Sequence, residues 1–104
     1  MVSIDTFRRI ALSFPGTVEQ AHFEKRAFKA GKKRIFTTLS EKENTATVRL
    51  TEVDQSVYSD IDSAMIYPVP NKWGKQGWTV IELKRVPLAL VKEILQKAYD
   101  FNAT

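Results

Sequence analysis

The chain has no cysteine and a single histidine, His22. Without cysteine there is no disulfide, no thiolate nucleophile and no Cys-based zinc site, and the chain suits a reducing, cytoplasmic setting. One histidine cannot build a zinc site without partners, and carboxylates alone complement it poorly. Only four glycines and four prolines are present, and no glycine-rich loop leads into a helix, which removes the usual phosphate-cradling motifs. Asp54, Asp60 and Asp62 lack the glycine and terminal glutamate of a calcium loop. No apolar run approaches the roughly 20 residues that span a bilayer. The N-terminus shows no charged region followed by an apolar one, so no secretory leader is expected. Internal repeats and low-complexity tracts are also missing. No acid, base and nucleophile stand at a diagnostic spacing. A pairing of Glu19 with His22 is conceivable, but nothing completes it, and a hydrogen-bonded histidine at a sheet margin is the plainer reading. The sequence therefore points away from an enzyme, and to no metal or cofactor.

What is there is a chain of 104 residues, 43% of them hydrophobic, enough for one small domain over residues 1–104. The net charge of +4 is unevenly placed. Residues 1–50 carry ten Lys or Arg against five Asp or Glu; residues 51–104 carry six against seven. The excess lies in Lys25, Arg26, Lys29, Lys32, Lys33 and Arg34, a cluster with no acid among them. Such a local field attracts phosphate, an anionic surface or acidic protein.

Periodicity gives the elements. Ser3 caps a first helix with Asp5 in its first turn, and Phe7, Ile10, Ala11 and Phe14 form its inner stripe before Pro15-Gly16 stops it. Ala21 to Glu24 reads as a short strand. Arg26 to Ala30 and Arg34 to Ser40 flank a turn at Gly31-Lys32-Lys33. Glu41 to Asn44 is a polar connection. Thr45 to Leu50 alternates, with Ala46, Val48 and Leu50 on one side and Thr45, Thr47 and Arg49 on the other. Thr51 caps a short helix whose inner side is expected to be Val53, Val57 and Ile61. Met65 to Val69 suits an edge strand, because Pro68 cannot donate to a ladder. The stretch from Tyr67 to Leu83 holds both tryptophans, two of the prolines and two of the glycines. It turns into a strand at Trp78, with Thr79, Ile81 and Leu83 on one face and Trp78, Val80 and Glu82 on the other. A last helix starts near Pro87, and Leu88, Val91, Leu95 and Ala98 line its stripe, widened by Leu90, Ile94 and Phe101. Strands adjacent in sequence with one wet face predict an α+β fold in two layers. Its antiparallel sheet has helices packed on one face, in the order helix, three or four strands, helix, two strands, helix.

Several short motifs occur together: Ser13-Phe14-Pro15-Gly16, Glu19, His22-Phe23, Phe28, Gly31-Lys32-Lys33-Arg34-Ile35-Phe36, and Trp78 with Ile81 and Leu83. In order and spacing they resemble the MmcQ/YjbR family of small, mostly uncharacterised bacterial proteins, commonly labelled DNA-binding. The resemblance runs from Phe7 to about Tyr99. It implies a YjbR-like α+β fold, related in shape to secretion chaperones, and supplies no catalytic residues. Glu24 stands where family members usually have glycine.

The same residues offer two candidate sites. The basic hairpin of Lys25, Arg26, Lys29, Lys32, Lys33 and Arg34 reads as a β-ribbon for a nucleic-acid groove, with Arg26, Phe28 and Ala30 on one face and Lys25, Ala27 and Lys29 on the other. The plainer alternative is a solvated edge kept from aggregating by its lysines. Trp73 with Lys72 and Lys75, and Tyr67 nearby, reads as a stacking platform for a base or planar ligand; alternatively Trp73 and Trp78 cover the end of the core. The expected activity is non-enzymatic nucleic-acid binding. A protein-interaction or chaperone-like adaptor, or a small-molecule binder at the Trp73 loop, are the alternatives, and no membrane partner is expected.

Overall fold

The Ser3 hydroxyl accepts the Thr6 backbone N–H at 3.1 Å, pairing one of the donors that a helix N-terminus leaves free. Helix α1 (Ile4–Ser13) then buries Phe7 and Ala11, as the spacing predicts. A computed structural model describes every residue except Phe23, Lys32, Lys33 and Thr104, and His22 by its backbone only.

Strands β1 (Thr17–His22), β2 (Lys25–Ala30), β3 (Ile35–Ser40) and β4 (Thr45–Arg49) come next as consecutive antiparallel neighbours. Helix α2 (Glu52–Ser59) leads to β5 (Ile66–Pro68), α3 (Lys72–Lys75), β6 (Trp78–Glu82) and α4 (Leu88–Ala103). The sheet order is β1-β2-β3-β4-β6-β5, antiparallel throughout, so β5 with its proline takes an edge as expected. Helices α1 and α4 pack on one face. Phe28, Leu39, Val48 and Ile81 meet Phe7, Val91, Ile94 and Leu95 there, all without exposed surface. Beside this core, Phe14 stacks on Tyr99 at 4.9 Å, and Phe36 meets both rings edge-on. The fold is the predicted α+β, two-layer arrangement. No helix among the described residues is long and apolar enough to cross a membrane.

Four local expectations differ. First, β1 starts at Thr17, not Ala21, and pairs with the whole of β2. Its open face exposes Val18 and Gln20 while its half-buried positions are Thr17 and Glu19, so its sequence carries no hydrophobic alternation to read. Second, the inner side of α2 is not Val53, Val57 and Ile61, which are 71%, 55% and 55% exposed. Polar anchors turn the helix instead: Tyr58 donates to Glu93 Oε2 at 2.5 Å, and Gln55 reaches the aromatic loop. Third, Leu88 is 40% exposed, while the stripe of α4 runs on through buried Asn102, which donates to the Ala98 and Arg49 carbonyls. Fourth, the stretch read as an aromatic loop contains the one-turn helix α3.

A bulge between β2 and β3 sets which side chains reach the open face of the sheet. Phe28 pairs with Thr37, but the next residue, Lys29, pairs with Ile35. The extra residue, Phe36, is turned into the core together with Thr37, and Ile35 is left on the opposite face.

Candidate functional site

The face of the sheet away from α1 and α4 is ordered by register. Gln20, Ala27, Thr38, Thr47, Val80 and Tyr67 stand side by side across all six strands. Next to that row, toward the aromatic loop, Lys29 lies opposite Ile35 and Arg49 opposite Trp78. Here the surface opens into a groove of about 430 Å³. Its floor is Ile35, Thr38, Thr47 and Trp78; Trp73, Val69 and Asn71 form one side, and Lys25 closes the other. The Thr38 and Thr47 hydroxyls bond each other at 2.6 Å, so the floor spends its polarity internally.

Trp73 is held by α3. Asn71 Oδ1 accepts the Trp73 N–H at 2.8 Å and caps the turn. The loop packs backbone on backbone. A Cβ at Gly74 would stand 2.1 Å from the Val69 carbonyl oxygen, and one at Gly77, where φ is +102°, 2.0 Å from that of Leu50. Gln55 ties the loop to α2: its Nε2 donates to the Gly74 carbonyl at 2.9 Å, to Thr79 Oγ1 at 3.1 Å and to the Trp78 carbonyl at 3.2 Å. Trp73 itself is 49% exposed.

The basic cluster is divided by the sheet. Lys25 and Lys29 lie on the groove face. Arg26 lies on the other, where it bonds Glu19 at 2.9 Å and Glu41 at 3.3 Å; Glu19 also bonds Arg8 at 2.8 Å. Those hydrogen bonds, Glu41 first, raise the Arg26 guanidinium pKa still further. Glu19 is thus committed to arginines, and the side chain of His22 lies outside the described residues, as do Lys32 and Lys33. Arg34 is exposed just before β3. The expected free β-ribbon is not formed. β2 is an inner strand paired along its length with β1, and Phe28 and Ala30 are core, so the hairpin is neither a ribbon nor an edge.

Tyr67 shares the groove face, but its hydroxyl donates to Glu82 Oε2, one strand away. That bond to a carboxylate, with desolvation second, pushes the Tyr67 pKa up to about 12. Tyr58 is raised too, mainly by burial and then by Glu93. Lys72 and Lys75 are exposed on α3 beside Trp73; Lys75 lines a separate hollow with Glu52 and Pro68 rather than the groove. Sequence reasoning missed the floor residues Ile35 and Thr38, and Val69 and Asn71 at the side. The alternation of β4 had already put Thr47 on this face, whereas the bulge hid Ile35.

No curated protein shows significant sequence similarity to the chain. Its fold is similar to that in the crystal structure of Deinococcus radiodurans protein DR2400, which carries a DUF419 domain. The TM-score is 0.83 and the identity 21%, over 95% of this chain and 77% of that one, a likeness of fold. The YjbR family model matches residues 12–101. The chain belongs to the YjbR family.

Proposed function

We propose that this YjbR domain is a non-enzymatic nucleic-acid-binding module that works through the groove face of its sheet. The observation that carries the reading is that Lys25 of β2 and Trp73 of α3, distant in sequence, line one groove. Lys29 stands on the same face, and Lys72 and Lys75 flank Trp73. None of these four lysines has an ion-pair partner among the described residues. Unpaired cations around an aromatic surface suit a polyanion whose bases have π-faces. A catalytic role has less support, since Tyr67 and Tyr58 each spend their hydroxyl on a carboxylate, Glu82 and Glu93. The absence of cysteine favours a cytoplasmic setting.

Fluorescence polarisation with labelled single-stranded and duplex oligonucleotides tests the reading. Binding is expected at low salt and falls steeply as salt rises, because each neutralised phosphate releases counterions. No binding at low salt with tens of micromolar protein refutes it. A second reading, a protein-interaction adaptor, is favoured by Val53 and Val57 on α2 and Ile61 just after it, all exposed. Gel filtration with Val53→Ser and Val57→Ser tests it. A monomer of unchanged behaviour, together with oligonucleotide binding, leaves the nucleic-acid reading alone.

A further inference from the structure

We infer that the groove between Trp73 and Lys25 takes an unpaired base of single-stranded nucleic acid, with the neighbouring phosphate against Lys25 or Lys29. This rests on the nucleic-acid reading above and names its ligand class. The floor is sheet surface carrying an aliphatic Ile35, an indole of Trp78 and two mutually bonded hydroxyls. That surface offers contact area and few unspent hydrogen bonds, which suits the face of a base. Trp73, half exposed at the side, supplies a ring on which the base can stack. Asn71 has its Oδ1 fixed by the Trp73 N–H, so its amide nitrogen, unpartnered among the described residues, remains a donor for a base edge. Among the described residues no carboxylate lines the groove, and the lysine at its far side matches an anion. The volume of about 430 Å³ falls in the range of small planar ligands.

A duplex fits this site poorly. Its bases are paired and stacked, so their faces reach Trp73 only after flipping, and flipping one base costs about what one aromatic stack returns. The free ribbon that would enter a duplex groove is absent, because β1 covers β2. Single strands bear bases already splayed for stacking on sheet-face aromatics.

The experiment compares the full chain with Trp73→Ala, Trp73→Phe and the double variant Lys25→Ala/Lys29→Ala. Each is titrated against a single-stranded oligonucleotide, its duplex and a free mononucleotide at low salt. Trp73 lies outside the core, and thermal melts confirm that each variant folds. The single strand is expected to bind more tightly than the duplex and to quench tryptophan fluorescence. Trp73→Ala is expected to weaken it about 5- to 150-fold, the worth of one stacked base, with much of the loss restored in Trp73→Phe. The lysine variant is expected to weaken binding and flatten its salt dependence. Duplex binding as tight as single-strand binding overturns the inference, as does a Trp73→Ala affinity within about twofold of the parent; the broader nucleic-acid reading then survives. A mononucleotide that binds as tightly as the oligonucleotide also overturns it, in favour of a nucleotide pocket. If neither strand form binds, both readings fall together.

Discussion

Gln55→Leu removes the tie between α2 and the aromatic loop while keeping the volume of the side chain. The two N–H groups of Gln55 serve three acceptors: the Gly74 and Trp78 carbonyls and Thr79 Oγ1. None is orphaned by the change. Gly74 O still receives the Gly77 N–H at 3.1 Å, Trp78 O the Val69 N–H at 3.0 Å, and the Thr79 hydroxyl still donates to Gly77 O. The cost is therefore the net worth of two hydrogen bonds, about 1–3 kcal/mol, not the larger penalty of stranded buried groups. For a domain of this size that corresponds to a Tm lower by roughly 10 °C. Gln55→Glu is expected to cost more at neutral pH, because it turns a carboxylate toward carbonyl oxygens. Its deficit shrinks as pH falls, since the protonated carboxyl recovers a donor. Urea unfolding followed by tryptophan fluorescence measures both, with Trp73 and Trp78 as reporters at the site itself. A Leu variant within about 0.5 kcal/mol of the parent refutes the reasoning. So does a Glu variant as stable as the Leu variant at neutral pH. If the tie positions Trp73, single-strand affinity falls in both variants.

The remaining predictions concern the same face and its surroundings. Gly77→Ala meets both a φ of +102° and a carbonyl oxygen 2.0 Å from its new Cβ, and is expected to lose at least about 2 kcal/mol in urea unfolding; equal stability refutes the close approach. Tyr58 and Tyr67 titrate above their ordinary value of 10 in the folded chain, Tyr67 at about 12. The folded state thus favours their neutral forms. The stability they contribute is complete below pH 10 and declines as pH rises, through 10 to about 12 for Tyr67 and higher still for Tyr58, while tyrosinate absorbance follows the ionisation; Tyr67→Phe removes one late-ionising group, and an unchanged late phase refutes the Tyr67–Glu82 bond. Arg26→Met is expected to leave oligonucleotide affinity and its salt slope unchanged, whereas Lys25→Ala/Lys29→Ala lowers both; an equal loss in Arg26→Met places the ligand on the other face.

Legibility in the sequence followed the burial of each segment. Thr45 to Arg49 assigned both faces of β4 from alternation alone, because β4 is an inner strand with one packed and one open side. In β1 the half-buried positions are polar Thr17 and Glu19 while apolar Val18 lies on the open face with Gln20, so burial alternates but hydrophobicity does not. In α2 the apolar residues form a helical stripe that points outward, since Gln55 and Tyr58 turn the helix by hydrogen bonds that a hydrophobicity pattern does not record. The basic cluster shows the same limit. Arg26 and Lys29 are three residues apart, and strand parity sends them to opposite faces, one beside Glu19 and Glu41, the other beside Ile35. Clustering in sequence measured their number but not their common direction.

The groove depends on the register that also makes the core. Leu39 and Val48 face α4 because Thr38 and Thr47 face away, and those two threonines bond each other only while they are paired. A one-residue slip of β4 would bring Val48 to the groove floor and carry Thr47 into the core. The bulge at Phe36 belongs to the same arrangement, for without it Phe36 would leave the aromatic cluster with Phe14 and Tyr99, and Ile35 would leave the floor. Strand order does the rest. β6 inserts between β4 and β5, which puts Trp78 opposite Arg49 and sets α3, packed on β6, at the side of the groove. Trp73 and Lys25 therefore come to line one groove through pairings that packing already enforces, so the groove is preorganised without a separate set of contacts to hold it.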